Sequence, residues 1–153
     1  MLASTARKPV GAAASRPFRT DHRQAIAELI ARFGHWLDGG AGRPEDFYLA
    51  DAEVASPRAT LRGLDAISRF VADTGDERVQ HVHGDLVIDV DGDRARVRAN
   101  QLVYFFEPGR APHRRSGLRV EHELRRTDAG WRIARLELAL QWLDGDLPPA
   151  PGD

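Results

Sequence analysis

The chain contains no cysteine. Disulfides, thiolate nucleophiles and zinc–thiolate centres are therefore excluded, and the sequence carries no mark of its redox compartment. Charge of one sign is not in excess either. The 22 basic and 23 acidic residues leave a net charge of −1, which argues against a surface dedicated to nucleic acid or anionic membrane. No apolar run approaches the roughly 18–20 residues that a membrane-spanning helix needs. Lysine is almost missing beside heavy use of Arg, Ala, Gly and Asp, a composition associated with GC-rich bacterial genomes. The opening stretch MLASTARKPVGAAASRPFR lacks the continuous apolar segment of a secretory signal. A transit peptide has a similar composition, but the stretch is expected to be a flexible tail over residues 1–19 of a cytoplasmic protein.

What is present is the composition of a soluble globule. The 153 residues, 42% hydrophobic and 29% charged, suffice for one domain with a substantial core. That domain is expected over residues 20–143, with a second tail over 144–153. Asp21 is a helix N-cap with Gln24 as its capping-box partner. Ile26, Leu29, Ile30, Phe33 and Leu37 then recur at helical spacing, and Gly39-Gly40 stops the helix. Pro44 opens a short second helix to about Leu49. Ala52–Ser56 and Thr60–Arg62 read as short strands. Leu64, Ile67, Phe70 and Val71 stripe a third helix that ends at Gly75.

From Val79 onward the chain alternates as strand. Val79–Val90 and Arg94–Glu107 are joined by the tight turn Asp91-Gly92-Asp93. Pro108–Arg115 is a loop, and Ser116–Thr127 alternates Leu118, Val120, His122 and Leu124 against charged neighbours. After Asp128-Ala129-Gly130, a last strand runs from Trp131 to about Leu143. Its apolar parity shifts from Trp131 and Ile133 to Leu136, Leu138, Leu140 and Trp142, which predicts a bulge near Ala134–Arg135. Three helices and a four-stranded meander, with two short strands between, form an α+β layout whose helices bury their stripes on one face of a bent antiparallel sheet.

His81, His83 and Asp85 recur at a spacing of two near the start of the first long strand. In a regular strand they share a face, so two imidazoles and a carboxylate would meet at one end of the sheet. Asp38 lies in the last turn of the first helix, about 100° round from Leu37, and so can face the sheet. Asn100 and Tyr104 share a face of the second long strand and are candidate hydrogen-bonding groups. His122 stands on an apolar strand face, where an inward imidazole needs a polar partner. Arg110, His113, Arg114 and Arg115 form a local basic run, either a solvated loop or a lid over an anionic substrate. Trp36, Trp131 and Trp142 are expected in the core or at an interface.

Five segments give the chain a family likeness: Phe33–Asp38 (FGHWLD), Leu61–Ile67 (LRGLDAI), His81–Asp85 (HVHGD), Asp91–Ala95 (DGDRA) and Gly130–Arg132 (GWR). In this order, over about residues 20–143, it resembles the nuclear-transport-factor-2-like superfamily, and within it the SnoaL-like small-molecule enzymes. The resemblance implies a cone-shaped α+β barrel: a curved antiparallel sheet wrapped around the long N-terminal helix, with a pocket at the open end. It implies an acid–base pair of Asp38 and His81, working without a cofactor or metal in an apolar pocket, with Phe33 and Asp85 at family positions; the strand faces read above would add His122, Asn100 and Tyr104 to its lining. Two positions depart from the pattern. Phe33 stands where many relatives carry tyrosine, and Asp85 stands where many carry asparagine. The expected activity is that of a lyase, isomerase or cyclase on a polyketide-, steroid- or terpenoid-like molecule, in a homodimer. The alternatives are a non-catalytic assembly subunit like the β chain of ring-hydroxylating dioxygenases, or a ligand carrier.

Overall fold

The structure is a computed structural model and describes residues 21–73 and 77–146. The tail expected over 1–19, most of 144–153 and the helix stop at Gly75 lie outside those residues. Helix α1 (His22–Leu37) starts where the spacing predicts, because the Asp21 side chain accepts from the backbone N–H groups of Arg23 and Gln24. The box is not reciprocal: the Gln24 amide turns along the helix to Glu28. Burial of Ile26, Leu29, Ile30 and Phe33, each at most 2% exposed, stabilises the helix by roughly 1.5–3 kcal/mol per side chain.

A single 3₁₀ turn (Pro44–Asp46) stands where a second helix was expected, and strand β1 (Tyr48–Ala55) begins at once. Phe47 and Tyr48 are buried, and the Ile133 N–H donates to the Phe47 carbonyl. Tertiary packing thus overrides the local preference. Strand β2 (Thr60–Arg62) and helix α2 (Leu64–Ala72) follow. The long strands are β3 (Arg78–Asp91), β4 (Arg94–Phe106), β5 (Arg114–Thr127) and β6 (Gly130–Asp144).

The six strands form one curved, unclosed sheet in the order β2-β1-β6-β5-β4-β3. All neighbours are antiparallel except β1 and β6, which run parallel. This pairing explains how a chain read as two short strands plus a meander becomes a single sheet. Helix α1 packs chiefly on β3, and the inner face presents Val97, Val120, Leu124, Ile133 and Leu136 to it, all nearly inaccessible.

Three bulges in the antiparallel ladders set which side chains face inward. On β6 the register slips at Ala134, where the parity change predicted it. A second slip, at Gln141, returns Trp142 to the outer face opposite Gly117, so Trp142 does not continue the Leu140 row. The indole occupies the space that a Cβ on residue 117 would fill. Gly117→Ala is therefore expected to displace Trp142 and lower the unfolding midpoint by an amount worth about 1–2 kcal/mol, with Trp142 fluorescence reporting the move. The third slip lies in β3, between Gly84 and Val87, and it redraws the site.

Candidate active site

Strand β3 is an edge strand, so alternate backbone N–H groups along its free side need partners. The His81 N–H finds one in α1. The Asp38 carboxylate, at the helix C-cap, accepts it through Oδ1 at 2.8 Å. The same oxygen accepts from His81 Nδ1 at 2.7 Å. One carboxylate oxygen thereby fixes both the strand and the ring. Because the carboxylate only accepts, Nδ1 carries the proton and Nε2 keeps its lone pair. Among the described residues Nε2 has no protein partner. The His81 and Asp38 side chains are 15% and 21% exposed, largely sheltered from water.

His83 lies on the same inner face two residues on. Its ring packs 6.0 Å from Phe33 and 6.2 Å from His122, centroid to centroid. Phe33 in turn meets His122 edge-on at 6.1 Å. His122 is wholly buried. Its Nδ1 and Nε2, together with His83 Nε2, have no hydrogen-bond partner among the described residues. A buried polar atom left in that state costs roughly 1–3 kcal/mol, so these three nitrogens are a concentrated local expense. The partner expected for His122 is not supplied by the described residues.

Burial pushes all three imidazoles towards the neutral form. His81 is lowered from its ordinary value, with burial outweighing the opposing hydrogen bond and charge of Asp38. His83 is lowered to about 4, by burial first and then by His81, with Asp38 acting weakly the other way. His122 is lowered to about 3, by burial and by His83. Near neutral pH the group is a set of uncharged bases beside one carboxylate.

Three of the expected pocket residues lie elsewhere. At the β3 bulge Asp85 adopts a positive φ of 53°, a conformation that aspartate tolerates better than most residues. Its side chain turns to the outer face, where it accepts from Asn100 Nδ2 at 2.8 Å. Asn100 pairs across the ladder with Gly84 and Arg119, also outside. Tyr104, two residue pairs along the same face, stands between Gln80 and Arg115. The inner positions of β4 are instead Ala95, Val97, Ala99, Gln101 and Val103, all buried. The alternation placed Asn100 and Tyr104 together correctly but on the wrong side.

His83 was read from the alternation on the strand face of His81 but was not counted among the pocket residues. One buried polar residue was missed. Tyr48 was hidden inside the expected second helix. It is buried, its ring meets Phe33 edge-on at 5.5 Å, and burial raises its hydroxyl pKa far above the ordinary value. A neutral phenol from β1 therefore stands next to Phe33.

The basic run is engaged locally. Arg114 is buried over the Phe105 ring, and with His113 it holds Glu77. Arg110 pairs with Glu107 and Arg115 with Asp144. No free cationic lid results from these contacts. Among the described residues no group of three His, Asp or Glu side chains is arranged to hold a metal, and no helix is long and apolar enough to cross a membrane.

Residues 19–137 match the SnoaL-like domain family. A solved NTF2-like protein with a cystatin-like fold from Novosphingobium aromaticivorans is 32% identical, with 78% of this chain and 82% of that one covered at a TM-score of 0.64. A candidate scytalone dehydratase from the same organism is 21% identical over 84% of this chain and 89% of its own, at a TM-score of 0.71. A hexachlorocyclohexane dehydrochlorinase, LinA type 2, is 16% identical over 86% and 95% of the two chains, at a TM-score of 0.66. No protein of curated function matches the chain. The match across most of the sequence, on the six-stranded sheet and helix just described, makes this chain a member of the SnoaL-like domain family with the NTF2-like fold.

Proposed function

We propose that the chain is a cofactor-independent lyase or isomerase in which His81 removes a proton from a carbon next to a carbonyl and Asp38 holds the imidazole for that task. One observation carries this reading: the 2.7 Å contact between His81 Nδ1 and Asp38 Oδ1, which leaves the Nε2 lone pair free. The carboxylate orients the ring and stabilises the imidazolium as it forms. With Asn100 and Tyr104 on the outer face, His122 is the polar residue of the expected pocket that remains on the inner face. The proton taken by His81 then returns to another carbon, giving an isomer, or goes to a departing hydroxyl, giving an alkene and water. Loss of water and loss of hydrogen chloride, the reactions named for two of the structural neighbours, are both eliminations and support this class.

Proton abstraction can be followed without the natural substrate. A panel of cyclic ketones and β-hydroxy ketones in D₂O should gain deuterium at the α carbon in the presence of the protein, read by NMR. The rate should fall as pH drops through the His81 pKa, because only the neutral ring accepts a proton. That limb lies below the ordinary 6.5, as burial dictates. An exchange rate no faster than in buffer across the panel would end the proposal.

A second reading concerns assembly. Val82, Val87 and Trp142, each between 44% and 48% exposed, share the outer sheet face with arginines and carboxylates of both signs. Such a face is self-complementary across a two-fold axis, which fits a homodimer. Light scattering should return two chains for the native protein and one for Trp142→Glu; a native monomer would remove this reading.

A further inference from the structure

We propose that His83 and His122 form a polar seat for a neutral hydroxyl group of the ligand, with Gly34 setting its depth. The seat rests on the reading of Asp38 and His81 as the reacting centre, since it lies behind that pair on the same inner face. It assigns His83 a task and narrows the substrate to molecules bearing an alcohol or phenol.

The unpartnered nitrogens carry the argument. Three ring nitrogens of two adjacent imidazoles are buried without a partner, and buried polar atoms in that state await a ligand or a water. The two rings lie 6.2 Å apart at 61° and do not bond each other. Each neutral imidazole offers one N–H donor and one lone pair, so the pair can both give and accept hydrogen bonds. A hydroxyl does the same. A carboxylate or a halide only accepts, leaving a nitrogen lone pair unmet, and a carboxylate would also be a buried charge with no cation beside it.

Gly34 supplies the second observation. It sits in the interior of α1, where alanine would favour the helix, and it is buried. A Cβ there would stand 3.1 Å from His83 Nδ1, closer than ordinary van der Waals contact. The missing methyl lets the His83 ring lie against the helix backbone, with the Phe33 ring on one side. An alanine at this position would push the ring by a few tenths of an ångström. Gly34 is therefore a positioning residue that acts through His83.

The test compares 2-naphthol with naphthalene, which differ by the one hydroxyl, using titrations followed through the ring ¹⁵N resonances of the histidines. The native protein should bind 2-naphthol at least tenfold more tightly, with shifts at His83 and His122. His83→Phe should keep naphthalene binding and lose the preference, and His83→Gln should restore part of it. Gly34→Ala should weaken the preference severalfold while the helix melts no earlier than in the native chain. Asp38→Asn should retain the preference although α-proton exchange is lost, so failure of the seat and failure of the catalytic pair are read separately. Equal affinity for the two ligands in the native protein would overturn the proposal. So would a preference that survives both in His83→Phe and in Gly34→Ala, or ring nitrogens that keep a bound water and do not respond to 2-naphthol.

Discussion

His81→Ala is expected to lower kcat for α-proton exchange or elimination by about two to four orders of magnitude, the range that a positioned general base contributes. Asp38→Asn should cost a similar factor by a different route. Asparagine can still accept the His81 backbone N–H, so the strand stays tethered. The same amide oxygen still accepts from the ring at Nδ1, but the neutral amide carries no charge to stabilise the imidazolium as it forms. Neither change removes a large apolar side chain, and both side chains are partly exposed, so unfolding midpoints should move by an amount worth no more than about 1 kcal/mol. Parallel measurement of kcat and urea midpoint checks both halves. Activity within a factor of three of native in either variant rules out the pair. Two further controls refine the assignment: the acid limb of the rate profile should vanish from the residual activity of His81→Ala, and KM should change less than kcat in both variants.

The sequence disclosed the parts of this molecule that repeat regularly. The α1 stripe, the long strands and the Ala134 bulge all appear as breaks or continuities in a simple period. The meeting of Asp38 with His81 could be anticipated only because the family likeness aligned a helix end with a strand start, since 43 residues separate the partners. What stayed hidden depended on single irregular residues or on distant pairing. The Asp85 bulge shifts one residue and so sends a carboxylate outward, because side chains alternate with a period of two. No local signal distinguishes that bulge from a regular strand containing Gly84. The parallel β1–β6 pairing hid Tyr48 in the same way, because a proline-initiated turn reads alike whether a helix or a strand follows. His83 was visible as an inward residue, but its lack of a partner is a property of three packed elements.

Mild acid is expected to destabilise the native protein, beginning above the pH at which its carboxylates titrate. In the unfolded chain each histidine takes up a proton near pH 6.5. In the folded chain His83 does so at about 4 and His122 at about 3, and His81 is also lowered. Between those limits the unfolded state binds more protons, so stability falls as pH falls and is fully present only above about 6.5. Each unit of separation is worth about 1.4 kcal/mol. The combined loss is several kcal/mol, comparable to the whole stability of a domain this size. Among the described residues Asp38 is the acidic neighbour that opposes the trend, and it acts on His81 and His83 but not on His122.

His122→Leu separates this cause from general acid denaturation. It removes the two buried nitrogens while filling most of the same space against Phe33, Val97 and Leu136. The variant should be more stable than the native chain by about 1–3 kcal/mol at pH 7, and the advantage should widen towards pH 5. Urea midpoints at pH 7.5 and pH 5 decide the matter, in a window where carboxylates remain ionised. A stabilised protein with lost turnover would show that the imidazole is retained for the ligand at a cost to the fold. A variant less stable than native, with an unchanged pH slope, would mean that the protein itself satisfies His122.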